Sequence, residues 1–128
     1  MKRFKDADRL QHILDAISNI ESFLLSIDQD TFLKSPKEQS AVCMQMTIIG
    51  EAAGKLSSDL CSQHTEIPWH KIISMRNVLI HDYVDTDFKL VWDTAQNDLP
   101  VFKAQIQTIL QNLQPQQKTD SDLKPPQI

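Results

Sequence analysis

The chain has 128 residues, enough for one domain with a modest core, and its 41% hydrophobic content excludes a largely disordered protein. The formal net charge of −4 excludes broad electrostatic binding of nucleic acid, so any such contact requires a local group of cations. Only two glycines and six prolines are present, which favours long helices over many short strands.

The two cysteines, Cys43 and Cys61, do not form a disulfide pattern. Both fall in the segment predicted as the second helix, where their spacing in sequence separates them by roughly 27 Å. A disulfide requires Cα atoms within about 7 Å, so we expect two reduced thiols. With no signal peptide and no long apolar run, we expect a cytoplasmic protein that does not enter a membrane.

The first predicted helix runs from about Phe4 to Ile27. Its apolar residues step by three and four, as on one face of a helix. They are Leu10, Ile13, Ile17, Ile20, Leu24 and Ile27. A stripe this regular also permits helix-to-helix contact between two copies of the chain.

The second predicted helix begins at Ser35, an N-cap residue, followed by Pro36 at the first helical position and Glu38 closing a capping box. Its apolar residues form two lines, which predicts burial from two directions. One line is Val42, Met46, Ile49, Ala53, Leu56 and Leu60, and the other is Ala41, Met44, Ile48 and Ala52. Gly50 lies between small residues in this helix, and we expect another backbone to approach closely there.

The third predicted helix runs from about Pro68 to Tyr83, and the fourth follows a cap at residues 85–87 and continues to Leu113. Pro100 lies inside the fourth helix, where the apolar stripe keeps its phase, so we expect a kink rather than a break. The predicted fold is all-α, an antiparallel bundle of four main helices with room for a short fifth. The domain spans residues 1–113, and we expect the polar residues 114–128 to form a disordered tail.

Ionisable side chains interrupt the apolar pattern of the third helix. Arg76 occupies a position in the stripe where an aliphatic residue is expected, and Asn77, His81 and Tyr83 follow it. This set suits phosphodiester cleavage without a metal. His81 can transfer a proton, Arg76 can hold phosphate oxygens, and Asn77 and Tyr83 can support them.

The spacing of these residues restricts how they can meet. On a regular helix, Arg76 and His81 lie five residues apart and roughly 140° around the axis, whereas Asn77 and His81 share a face. Three solutions remain open at this point. Arg76 can curl towards His81, the helix can distort near His81, or a second copy can complete the cleft in a two-fold homodimer.

The pattern Arg-x4-His-x-Tyr at Arg76, His81 and Tyr83 resembles the signature of the HEPN superfamily of helical ribonuclease domains, and within it the HepT-like toxins match best. The resemblance covers roughly residues 4 to 113. The segments that carry it are Asp8-Arg9-Leu10, Ile49-Gly50-Glu51-Ala52, Ile67-Pro68-Trp69, Met75-Arg76-Asn77, His81-Asp82-Tyr83 and Leu99-Pro100.

The resemblance implies an all-helical homodimer whose paired motifs line a cleft that cuts RNA without a metal or other cofactor. It implies Arg76 and His81 as catalytic residues with Tyr83 beside them, and we expect Asn77 and Glu51 to support them. It further implies a HepT/MntA-type toxin–antitoxin system, in which an MntA-like nucleotidyltransferase antitoxin transfers AMP to the motif tyrosine, here Tyr83. Nucleotides at this position would obstruct the cleft by bulk and charge.

Other interpretations remain. Arg76 can be a structural arginine paired with Glu51 or an aspartate, and Glu51 can either orient Arg76 or be solvated. The chain can be a non-catalytic dimeric module that binds a nucleotidyltransferase partner or a nucleotide, or simply a structural bundle. Three aspartates look like a metal cluster but are better explained as caps of the fourth helix, and three further histidines lack zinc spacing, so we expect no metal. These are Asp82, Asp85, Asp87, His12, His64 and His70.

Overall fold

A computed structural model describes residues 2–113, and throughout this range the chain is helical or forms short connections without a strand. This agrees with the all-α prediction, whereas the predicted tail at residues 114–128 lies outside the described range. The helices are α1 Lys2–Leu24, α2 Gln29–Leu33, α3 Pro36–Gly54, α4 Ser58–Gln63, α5 Trp69–His81, α6 Phe88–Asp93 and α7 Leu99–Leu113. A 3-10 turn spans Tyr83–Asp85, and a π-helical turn spans Thr94–Asp98.

The core forms where α1 packs between α3 and α7, and α3 also packs against α5. The predicted stripe of α1 is buried from Leu10 to Leu24, with Leu10, Ile13 and Ile17 completely inaccessible. Helices α1 and α3 run antiparallel, since Asn19 of α1 bonds to Gln45 of α3, while Asp6, near the start of α1, meets Ser57 beyond the end of α3. Burial of these large apolar side chains supplies the main driving force for folding.

The second predicted helix is shorter than expected, because α3 ends at Gly54 and α4 begins at Ser58. Ser57 caps α4, and buried Asp6 accepts hydrogen bonds from its backbone nitrogen at 2.9 Å and its hydroxyl at 2.6 Å. Cys43 and Cys61 therefore lie on different helices, α3 and α4, and the expectation of one shared helix was wrong. Both are free thiols, and burial raises the pKa of Cys43 to about 11.

The ends of the other helices differ from the predictions in smaller ways. Helix α1 ends at Leu24 rather than Ile27, and two short helices, α2 and α4, are present instead of one. Ser35 caps α3 through the backbone nitrogen of Glu38, as predicted. The reciprocal bond of a capping box is replaced, because the Ser35 backbone nitrogen donates to the carbonyl oxygen of Phe32.

The chain remains helical through Pro100, so the predicted absence of a break is confirmed. The π-helical turn lies immediately before the proline, and there the Leu99 backbone nitrogen donates to the carbonyl oxygen of Thr94, five residues earlier. A π-turn adds a residue to the helical repeat and shifts the hydrogen-bond pattern where the proline ring would otherwise clash.

Helix α6 is capped at its N-terminus by Asp87, whose carboxylate accepts hydrogen bonds from two backbone nitrogens.

The second apolar line of α3 is only partly buried. Ala52 is 4% exposed, but Met44 and Ile48 are 60% and 37% exposed. The expectation of burial from both directions was therefore wrong for these two side chains within one protomer. Among the helices of the described range, none has the length and apolar character of a membrane-spanning segment.

Helices α3 and α5 approach each other closely at Gly50, as predicted. A Cβ atom built on Gly50 would overlap the Cβ of Arg76 and lie 3.0 Å from its Cγ and 3.3 Å from the carbonyl oxygen of Ile72. Any side chain at this position would therefore push the two helices apart.

We predict that Gly50→Ala lowers the free energy of unfolding by about 1–3 kcal/mol, because the steric overlap outweighs the better helix propensity of alanine. Gly54→Ala is the matched control, since nothing lies within 4 Å of a Cβ at that position. Urea unfolding of the two variants measures the difference. A Gly50→Ala protein as stable as Gly54→Ala would contradict the close approach.

Candidate functional site

Arg76 turns from α5 to Glu51 on α3. Its Nε donates to Glu51 Oε1 at 3.1 Å, and its Nη2 donates to the same oxygen. The side chains are 30% and 41% exposed, so the pair lies at the edge of the core rather than within it. Glu51 therefore meets both expectations in part, since it pairs with Arg76 and its side chain also reaches solvent. The guanidinium holds the pKa of this carboxyl below its usual range, through the hydrogen bond and then the charge.

The same guanidinium also contacts Asn77. Arg76 Nη1 donates to Asn77 Oδ1 at 2.8 Å, which draws the end of the side chain around α5. Arginine has five N–H donors, and these protein contacts use three. One N–H remains on each terminal nitrogen, a pair of donors that can meet two oxygens of one phosphate.

His81 lies four residues after Asn77, so the two share a face of α5, and both are exposed. Glu51, Arg76, Asn77 and His81 therefore occupy one surface, which we call the polar cluster. Spacing left three ways for Arg76 and His81 to meet. Arg76 does curl around the helix, and its guanidinium reaches Asn77. The helix is not distorted between Arg76 and His81, since α5 is regular up to His81.

Tyr83 is not on α5, and the prediction that the third helix extends to Tyr83 was wrong. The helix ends at His81, the backbone torsions of its C-cap Asp82 leave the helical region, and Tyr83 begins the 3-10 turn. Its hydroxyl forms a hydrogen bond with Ser40 Oγ at 3.0 Å, and its ring packs edge-on to Phe88 with centroids 5.8 Å apart. The sequence analysis did not predict that Ser40 and Phe88 contact Tyr83, because helical periodicity does not relate either residue to Tyr83.

Of the three aspartates expected to cap the fourth helix, Asp87 does so with its carboxylate. The expectation was wrong for the other two, because Asp82 is the C-cap residue of α5 and Asp85 lies in the 3-10 turn. In residues 2–113, no three His, Cys, Asp or Glu side chains come together as a metal-binding group.

Comparison with known proteins identifies the family. The model for the ribonuclease HepT-like family matches residues 13–109, most of the chain. This chain belongs to the HepT-like family.

Three curated relatives show how the family domain is distributed. A "Probable ribonuclease HepT" of Thermococcus cleftensis is 38% identical over 109 residues, covering 85% of this chain and 98% of that protein. A "Putative RNase" of Caldanaerobacter subterraneus subsp. tengcongensis is 31% identical, covering 80% and 91% of the two chains. A Methanocaldococcus jannaschii protein named "Gamma-glutamylcyclotransferase and putative RNase" is 35% identical over 81% of this chain but only 47% of its own length. No solved structure matches the chain significantly.

The HepT-like match includes every residue of the polar cluster and Tyr83. It also includes Gly50, where α3 and α5 meet, and Pro100 after the π-turn. The family region thus contains both the candidate site and the helix contact that positions it.

We predict that, at neutral pH, the urea concentration at the midpoint of unfolding is higher for wild-type protein than for Glu51→Gln. This gap between the two midpoints should close in acid. Because the folded-state pKa of Glu51 is depressed, its contribution is fully present above the unfolded value near 4.5 and is lost as the pH falls through the folded value. The gap is small, since the pair is partly exposed. In an Arg76→Met background the same substitution should produce no pH-dependent gap. A gap of equal size in acid and at neutral pH would contradict the role of this ion pair.

Proposed function

We propose that the chain is a metal-independent endoribonuclease that cleaves RNA at a cleft containing the polar cluster. The family match and the ribonuclease names of its relatives support RNA as the substrate. The observation that carries the proposal is the orientation of Arg76. Glu51 and Asn77 hold the guanidinium at the surface with donors to spare, on the face that also presents His81.

The proposed reaction uses the ribose hydroxyl of RNA as nucleophile. The 2′-oxygen forms a bond to phosphorus while the bond from phosphorus to the 5′-oxygen breaks, leaving a cyclic phosphate and a free 5′-hydroxyl. A neutral imidazole takes the proton of the 2′-hydroxyl, and an imidazolium returns one to the departing oxygen. Arg76 donates to the phosphate oxygens as charge builds on them, and Asn77 and Glu51 keep the guanidinium in position.

Two imidazoles are needed for this exchange, and a protomer supplies one His81 in the polar cluster. A two-fold homodimer would supply the second. An exposed apolar line on α3 supports such contact, because Met44 and Ile48 lie on the same face as Glu51, seven and three residues before it. Analytical ultracentrifugation measures the oligomeric state directly, and a mass of 14.7 kDa at micromolar concentration, which is that of one chain, would contradict the homodimer.

We further propose that the chain is the toxin of a cytoplasmic toxin–antitoxin pair, neutralised by an MntA-like nucleotidyltransferase. In the proposed step, the Tyr83 oxygen bonds to the α-phosphorus of ATP and pyrophosphate leaves. Tyr83 is 38% exposed, and its hydroxyl meets the hydroxyl of Ser40 at the protein surface. An attached AMP would add bulk and negative charge near the end of α5, which would disfavour a second polyanion there.

A second candidate is a non-catalytic dimeric module that binds a nucleotidyltransferase or a nucleotide. The net charge of −4 and the neutralisation of Arg76 by Glu51 favour it, since both reduce attraction for RNA. The two candidates differ in whether purified protein cleaves RNA.

We predict that His81→Ala lowers RNA cleavage by at least about 100-fold, because it removes the group that transfers the proton. His12→Ala is the matched control, since His12 is exposed on α1, outside the polar cluster. Both proteins are incubated with RNA in the presence of a chelator, and circular dichroism checks that each remains helical. Undiminished cleavage by His81→Ala would exclude His81 as catalytic, and wild-type protein that does not cleave would favour the non-catalytic module.

We predict that incubation with a nucleotidyltransferase partner and ATP raises the intact mass in steps of one AMP. Tyr83→Phe should abolish the increase because it removes the accepting oxygen. Ser40→Ala should retain it, since Ser40 only hydrogen-bonds to that oxygen. Modification of Tyr83→Phe at the wild-type level would place the acceptor elsewhere.

A further inference from the structure

A second concave site lies on the other side of α5 from His81. It is a cavity of about 320 Å³ between α3, the first half of α5, the π-turn and the start of α7. Met75 lines this cavity, whereas Asn77 belongs to the polar cluster. Side chains two positions apart on a helix point in directions that differ by roughly 200°, so the two sites lie on opposite sides of α5. Pockets that bind small molecules begin at about 300 Å³, so the cavity can admit a ring system.

The inner surface of the cavity is apolar. It is formed by Met46, Ile49, Ile72, Met75, Leu99 and Phe102. Thioethers and aromatic rings make favourable contacts with the face or edge of another ring. This lining therefore suits a flat aromatic group better than an extended polar one.

Thr94 places an unused hydroxyl in this apolar surface. The residue is only 7% exposed and lines the cavity, yet its side chain makes no hydrogen bond to another residue in the range 2–113. Two other helical threonines bond back to the carbonyl four residues earlier, Thr47 to Cys43 at 2.9 Å and Thr108 to Ala104 at 3.1 Å. Thr94 begins the π-turn and does not. The Thr94 oxygen is open to the cavity rather than sealed in the core, since no fully buried side-chain oxygen or nitrogen in residues 2–113 lacks a hydrogen-bond partner. It is therefore available to a polar atom of a ligand.

The rim of the cavity adds polar groups that can form hydrogen bonds with the edge of a ring but do not favour a charged ligand. Asn97 and Gln105 each present an amide with donor and acceptor, and Lys71 is accompanied by the carboxylates of Glu66 and Asp98. The formal charge of these three ionisable groups is −1, which disfavours a phosphate deep in the site. This rim therefore suits an uncharged ring with hydrogen-bonding atoms along its edge.

We propose that this cavity binds an unpaired nucleobase of RNA, an inference that rests on the proposed ribonuclease function for the source of the base. The ring faces would pack on the apolar lining, and the ring edge would meet the Thr94 hydroxyl and the rim amides. The sugar and phosphate remain outside, where Lys71 is the cation of the rim. Single-stranded RNA is commonly held in this way, with bases splayed out and stacked on protein side chains.

Methionine methyl groups provide a test within the full chain. Met46 and Met75 line the cavity, whereas Met44 is exposed on the face of α3 that carries Glu51 and would report binding at the polar cluster instead. With 13C-methyl methionine, adenosine or uridine should shift the Met46 and Met75 resonances saturably and leave Met44 in place. Inorganic phosphate should shift neither. Absence of any shift, or a shift of Met44 alone, would overturn the proposal, as would phenol binding as tightly as the nucleosides, which would indicate a site for protein side chains.

Thr94→Val removes the hydroxyl with little change of shape and should weaken nucleoside binding on the order of 3- to 10-fold. Thr108→Val is the matched control on α7, and its binding should equal that of wild type. Equal affinity of the two variants would overturn the role of Thr94. The titration measures binding and requires no RNA cleavage, so failure of this proposal can be told apart from failure of the ribonuclease proposal. A protein that does not cleave RNA can still bind nucleosides, and a protein that cleaves RNA can fail to bind a nucleoside in this cavity.

Discussion

The contact between α3 and α5 at Gly50 determines where every group of the candidate site lies. A helix without a Cβ at this position lets the backbone of α5 approach until the Cβ of Arg76 occupies the space. Arg76 cannot continue inwards past α3, so its side chain runs along the surface of the contact. Glu51, the next residue after Gly50, then receives the guanidinium. One missing side chain thus fixes both the helix spacing and the direction of the cation.

The polar cluster follows from this constraint. Because Glu51 accepts from one edge of Arg76 and Asn77 from another, the guanidinium is held before any substrate arrives. Preorganisation of this kind avoids the cost of orienting a long side chain during a reaction. The same ion pair reduces the free charge of Arg76, in keeping with a site that contacts a few phosphates rather than a long polyanion. Activity would then depend on placement more than on net charge.

The apolar periodicity of α1 and the lone mid-helix glycine of α3 were sufficient to predict the core stripe and the close helix contact, since both are local features. The break after Gly54 was not predictable in this way. It is stabilised by Asp6, 51 residues away in sequence from Ser57. The apolar pattern also could not tell whether Met44 and Ile48 face their own chain or another, because the periodicity is the same in either case.

At the candidate site, the sequence identified the residues and left their geometry open. Spacing alone allowed Arg76 to curl, and the structure shows that it does so towards Asn77. The position of Tyr83 was missed because the turn at Asp82 ends α5 without a glycine or proline to mark it. The π-turn before Pro100 was anticipated only as a kink, so the unpartnered hydroxyl of Thr94 had no sequence signal.

The most direct test of the proposed site is the mixing of wild-type protein with an inactive variant. Wild-type protein is mixed with a roughly nine-fold excess of His81→Ala, allowed to exchange subunits, and assayed for RNA cleavage beside the same amount of wild type alone. If the cleft needs one imidazole from each of two protomers, a mixed dimer has only one and is inactive, so activity per wild-type subunit falls to about a tenth. A mixture that exchanges subunits but keeps the full activity of its wild-type subunits would contradict a cleft shared between two copies of the chain.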